Sequence, residues 1–83
     1  MELHPTKTFT AEFSHICKGN TLLRKRIKKQ LLLLKQNPAH PSLRLHKVDA
    51  WWSVSIDKSI RMLIIIQASH VYLYHVGKHE DVY

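Results

Sequence analysis

Apolar positions along this chain keep a helical period in the first half and an alternating one in the second. Phe9, Phe13 and Ile16 recur at i, i+4 and i+7, the spacing of one helix face, and Gly19 supplies the stop. Asn20 stands where an N-cap is wanted, ahead of a longer helix predicted over Thr21–Gln36. At ~100° per residue, Leu23, Ile27, Leu31 and Leu34 fall within ~80° and form its core stripe, widened at one edge by Leu22 and Leu33. Lys25, Lys28 and Lys35 lie opposite, together with Leu32, which is either a plain surface leucine or part of a partner-binding patch. Asn37-Pro38 ends the helix, and Pro38-Ala39-His40-Pro41 predicts an extended loop.

The remainder reads as strands. Leu43–Val48 alternates, with Leu43 and Leu45 on one face and Arg44 and His46 on the other. Trp52, Val54 and Ile56 alternate with Ser53 and Ser55, predicting one buried and one wet face. Arg61–Gln67 is rich in β-branched residues and apolar on both faces, as a central strand should be. Val71–Val76 makes a further strand, with Val71, Leu73 and His75 facing away from Tyr72 and Tyr74. Asp57-Lys58-Ser59 and Gln67-Ala68-Ser69 are short turns, so these strands are expected to be antiparallel neighbours. Leu3–Phe9 contains Pro5 and can supply only a weak edge strand. Two helices followed by an antiparallel sheet is an α+β plan with the helices on one sheet face.

Length and composition limit the possibilities. The 83 residues make one domain, and 45% hydrophobic with 23% charged residues reads as globular. The lone Cys17 excludes an internal disulfide and hence a small secreted disulfide scaffold. The start of the chain lacks a signal-peptide pattern, and the longest purely apolar run, Met62–Ile66, is far short of a membrane span. A soluble cytoplasmic domain is expected.

Thirteen Lys and Arg against six Asp and Glu give a net charge of +7 with His neutral. Lys18, Arg24, Lys25, Arg26, Lys28, Lys29, Lys35, Arg44 and Lys47 all fall between Phe13 and Val48, without one acid among them. That polarisation exceeds what solubility needs and points to a polyanion or an acidic partner.

The candidate chemistry is sparse. Gly19 and Gly77 are isolated, so there is no phosphate-binding glycine loop. Nothing marks Cys17 as a nucleophile. The seven histidines show no metal-ligand spacing, and no metal or other cofactor is expected. Metal-free RNA cleavage remains open: imidazoles can serve as base and acid near neutral pH, and a cation such as Arg61 can stabilise the phosphate. Each residue also has a plainer reading. Arg61 can pair with Asp57 or Asp49, His46 can be a solvated strand residue, and His79 an ordinary tail residue.

Leu31–Lys35, then Asn37-Pro38, then Pro41-Ser42-Leu43-Arg44-Leu45-His46-Lys47-Val48 form an ordered set. The set continues with Trp51-Trp52-Ser53-Val54-Ser55-Ile56, Arg61-Met62-Leu63-Ile64 and the closing Val76-Gly77-Lys78-His79-Glu80-Asp81-Val82-Tyr83. Together these resemble the RelE/ParE superfamily of bacterial toxins, from roughly Phe9 to Tyr83. The resemblance implies two N-terminal helices packed on a curved, mainly antiparallel sheet of four to five strands. It implies the toxin of a type II toxin-antitoxin system, held by an antitoxin with an acidic segment. In the RelE-like and YafQ-like branches it implies a ribosome-dependent, metal-independent mRNA endoribonuclease. The alternatives within the resemblance are a ParE-like gyrase inhibitor and a non-catalytic relative.

Carried over by position, Arg61 matches the arginine expected to stabilise the phosphate. His46 matches a histidine of the YafQ-like branch, His79 the closing catalytic histidine, and Tyr83 the terminal aromatic that stacks on a base. His46 and His79 are then the expected base and acid pair. The YafQ-like branch has an acidic residue where Arg61 stands, so this set combines features of two branches. Arg24, Lys25, Lys28, Lys29, Lys35, Arg44, Lys47 and Lys78 are the expected contacts to ribosome and RNA.

Overall fold

A computed structural model describes residues 1–79 of the chain. Its elements are β1 (Glu2–Pro5), α1 (Lys7–Cys17), α2 (Thr21–Gln36), a 3-10 turn (Pro41–Leu43), β2 (His46–Val48), β3 (Trp51–Ser55), β4 (Ile60–Gln67) and β5 (His70–Lys78). The strands form one sheet in the order β1-β5-β4-β3-β2, antiparallel throughout except for the parallel pair β1 and β5. Both helices cover one face of this sheet, which is the expected α+β plan. Among the described residues no helix is long and apolar enough to cross a membrane.

The helices begin and end where their capping residues stand. Thr6 Oγ1 accepts from the Phe9 N–H at 3.1 Å and starts α1, and the same hydroxyl donates to the Leu73 carbonyl, tying the helix start to β5. Gly19 sits at φ +69°, a left-handed conformation that breaks the run between the helices. Asn20 Oδ1 accepts from the Leu23 N–H at 3.1 Å and starts α2. Pro5 is tolerated because β1 is an edge strand, where a missing N–H can face outward.

The core lies between the layers. Phe9 and Cys17 of α1 and Leu23, Ile27 and Leu34 of α2 pack with Val54, Met62, Ile64, Val71, Leu73 and Val76 of the sheet. The α2 stripe holds, except that Leu31 is only half-buried while Gln30 is buried. Leu22 and Leu32 are exposed. Burial pushes the Cys17 thiol up against the opposing pull of Arg24 and Lys28, so this thiol is a packed side chain and a poor nucleophile.

Three expectations need correction. The strand expected over Leu43–Val48 begins only at His46, because Pro41–Leu43 winds into a 3-10 turn that drops Leu43 into the core, and Arg44 turns left-handed at φ 46°. Ser53 and Ser55 are buried, not wet: these small side chains lie beside Leu63 and Arg61 on the next strand, whose larger side chains cover them. The third correction concerns β5. Leu63 pairs with His75 and Ile64 with Leu73, so Tyr74 is an extra residue accommodated as a β-bulge. Val71, Leu73 and Val76 therefore face the helices, and His75 turns to the opposite face.

Candidate functional site

The face of the sheet turned away from the helices gathers the polar chemistry. A cross-strand row runs His46, Ser53, Leu63, His75 through β2, β3, β4 and β5. Directly paired residues share a face, so all four side chains project the same way. The next row along is Ser55, Arg61, Gly77. Arg61 thus stands between β3 and β5 on the face that carries His46 and His75. Gly77 sets no side chain of its own beside it.

Arg61 is half-buried, and its Nε and Nη1 are buried without a hydrogen-bond partner among the described residues. The ion pair with Asp57 that could have explained it is not formed. Asp57 instead accepts from the backbone N–H groups of Ser59 and Ile60, both at 2.8 Å, and lies 3.6 Å from Arg26. A guanidinium with unsatisfied buried donors is in want of an anion, and planar donors of this kind match a phosphate.

The histidines differ in how they are held. His46 is exposed on the edge strand, and its Nδ1 lies 3.0 Å from the Arg44 carbonyl. A carbonyl only accepts, so Nδ1 carries the proton and Nε2 of the neutral ring keeps its lone pair. His75 is half-buried, with Nδ1 3.1 Å from Glu12 Oε1 and its ring edge-on to Trp51. Glu12 also accepts from the Val76 N–H at 3.3 Å. It reaches this position because β1 ends at Pro5, and α1 takes over the uncovered edge of β5. His79 is exposed just past β5, with its backbone N–H on the Ser59 carbonyl at 2.9 Å. It follows Gly77 along the chain by the same two-residue step at which His75 precedes it.

Of the residues expected from sequence, His46 and Arg61 share this face, and His79 lies at the end nearest Arg61. Tyr83 lies outside the described residues. Glu12 and His75 are additions that sequence reasoning misses. Simple alternation places His75 with the core residues Val71 and Leu73; only the spacing of Val71, Leu73 and Val76, two and then three, betrays the bulge that redirects it. The bases Arg24, Lys25, Lys28, Lys29 and Lys35 are exposed on α2, on the opposite side of the molecule from this face. Arg24 lies over the Phe13 ring at 5.4 Å and Lys47 over Trp52 at 5.4 Å. Arg44 and Lys78 are exposed beside β2 and at the end of β5.

Two helices on one face of a five-stranded mixed sheet is a fold that solved bacterial toxin structures share. No family model matches the chain, and no curated protein matches it in sequence. Among solved structures, it is similar to a metal-bound toxin from Helicobacter pylori, with TM-score 0.82 at 16% identity over 100% of this chain and 99% of that one. The YafQ protein of E. coli in its DinJ–YafQ complex aligns with TM-score 0.81 at 9% identity, covering 99% of this chain and 97% of that one. A YoeB/ParE toxin from Agrobacterium tumefaciens aligns with TM-score 0.80 at 14% identity, covering 95% and 99%. At these identities the likeness establishes the fold.

Proposed function

We propose that this chain is the toxin of a toxin-antitoxin pair, acting in the cytoplasm, and that it cleaves mRNA on the ribosome without a metal. The observation that carries the reading is Arg61: buried N–H donors without a partner among the described residues, on the sheet face that also presents His46 and His75. The fold shared with YafQ and with a YoeB/ParE toxin supports it, and the DinJ–YafQ complex supports a protein partner that holds the toxin. That partner would bring an acidic segment to the exposed bases of α2.

In the proposed reaction the ribose 2′-OH attacks the adjacent phosphorus as the bond to the 5′-oxygen breaks. His46 takes the 2′-OH proton through Nε2, the nitrogen left bare by its bond to Arg44. Arg61 holds the non-bridging oxygens as charge accumulates on them. His79 returns a proton to the departing 5′-oxygen, and Tyr83 stacks on a base beside the cut. His46 and Arg61 sit on strands two spacings apart, ~10 Å, a gap that a nucleotide bridges. Glu12 holds His75 in one orientation on β5, the strand beyond Arg61 as counted from His46, where it lines the path of the RNA.

Induced expression followed by primer extension on cellular mRNA tests the reading. Wild type should give codon-phased cuts. Arg61→Ala should lower cleavage about 10²–10³-fold, and His79→Ala about 10²–10⁴-fold. Growth arrest with intact mRNA and damaged DNA would sink it in favour of gyrase inhibition. A full loss in His75→Ala beside an active His79→Ala would move the acid role to His75.

A further inference from the structure

The edge of the sheet farthest from His46 carries a second polar cluster, which the RNA reading does not use. Parallel pairing of β1 with β5 sets Glu2 beside His70 and His4 beside Tyr72. The His4 Nε2 and His70 Nδ1 atoms are 2.9 Å apart. Glu2 presents one carboxylate oxygen 3.9 Å from His4 Nε2 and the other 3.6 Å from His70 Nδ1. One donor atom from each of the three residues lies within 4.8 Å of the other two.

We infer that Glu2, His4 and His70 form a binding site for a divalent first-row transition ion such as Zn2+. Two imidazole nitrogens and a carboxylate are the donor set such ions take, with remaining positions left to water. The distances agree. Ligand atoms bound at ~2.0–2.1 Å in tetrahedral or octahedral geometry stand ~2.9–3.4 Å apart. The two nitrogens are already at that separation, and the exposed Glu2 carboxylate, with its oxygens 3.6 and 3.9 Å from them, completes the set by moving inward. Without the ion, a single proton must be shared between two nitrogens that both point into the gap. Metal binding displaces that proton. Tyr72 stacks on His4, ring centroids 5.0 Å apart and planes 22° from parallel, and so fixes the orientation of one ligand. No spacing in the sequence reveals the site, because strand pairing alone brings His4 to a residue 66 positions away.

The site lies across four strand spacings from His46, roughly 19 Å, so it neither supports nor depends on the nuclease reading. Its effect is to fasten the short β1 to β5. Titration of the purified chain with Zn2+ alone tests it, by calorimetry and by NMR of the imidazole nitrogens. One equivalent should bind and shift the His4 and His70 ring signals. Tm should rise by about 10 °C or more once Zn2+ reaches ~100 times Kd. His4→Gln with His70→Gln should bind at least about tenfold more weakly, while His15→Gln should bind as wild type does. Zn2+ binding that survives the double substitution, ring shifts confined to His46, His75 or His79, or no binding by the folded wild type would each overturn the inference. The NMR readout on wild type holds even if the double variant fails to fold.

Discussion

Gln30 joins the two layers of the molecule. Its Nε2 donates to the Ser55 carbonyl at 2.9 Å and to the Ser42 carbonyl at 3.1 Å, pinning α2 to the end of β3 and to the 3-10 turn ahead of β2. Both tethered segments lead into the site, since Ser55 pairs with Arg61 and the 3-10 turn leads through Arg44 to His46. A leucine of similar size would keep the volume and strand both carbonyls. Gln30→Leu should therefore destabilise the fold by about 1–3 kcal/mol in urea denaturation, the scale of buried polar groups left unpaired. A variant as stable as wild type would mean that water reaches those carbonyls. Arg61 differs from Gln30 in kind: its buried donors meet no partner among the described residues, a deficit that a bound anion would relieve.

Among the elements, the turn between β3 and β4 meets the chain just past the end of β5. The Asp57 carboxylate accepts from Ser59 and Ile60 and so shapes the turn, and the Ser59 carbonyl in turn holds the His79 N–H. Burial opposes ionisation of Asp57, but the two backbone N–H groups, the Ser59 hydroxyl and Arg26 outweigh it and lower its pKa. A carboxylate lowered in the fold stabilises the fold above its unfolded value of ~3.9, and that contribution is lost as pH falls through the folded value. Asp57→Asn keeps the accepting oxygen but loses the charge. It should then lose about 1 kcal/mol at pH 7, the difference between a charge-assisted and a neutral hydrogen bond. The gap between variant and wild type should close in acid. Thermal melts across pH 2–7 measure it, and a pH-independent gap would remove the carboxylate charge as the cause.

How far these elements can be read in advance depends on how local their causes are. Asn20 and the leucine stripe announce α2, and Trp52, Val54 and Ile56 announce β3, because caps and periodicity act within a few residues. His46 and Arg61 are reached through the ordered motifs around them. Glu12 and His75 are not, since their meeting needs both a bulge at Tyr74 and a helix that replaces β1 along β5. The Gln30 tethers and the His4–His70 pair stay hidden for the same reason: pairing between distant segments has no local signature.

At the scale of the whole molecule, the candidate site and the bases of α2 lie on opposite sides. The site occupies the bare sheet face, while Lys25, Lys28 and Lys29 project from the helix layer behind it. The domain measures 35 × 23 × 23 Å, so the two faces are separate surfaces of one small body. Replacing Lys25, Lys28 and Lys29 by Glu should weaken ribosome association, and the salt slope should become shallower by about one for each phosphate that is no longer neutralised. Pelleting with ribosomes over a salt series measures this. An unchanged slope would assign these lysines to solubility, leaving Arg44, Lys47 and Lys78 to grip the RNA.

The bulge at Tyr74 works as a phase slip in the middle of β5. Upstream of it the odd-numbered residues Val71 and Leu73 face the core, and downstream the even-numbered Val76 does. The two halves of one strand are therefore framed independently, each by its own buried residues against β4. Insertions and deletions are usually tolerated in loops, but here one surplus residue is absorbed inside a central strand. Drift in the length of β5 upstream of the bulge can thus be taken up there, leaving His75 and Gly77 facing Leu63 and Arg61.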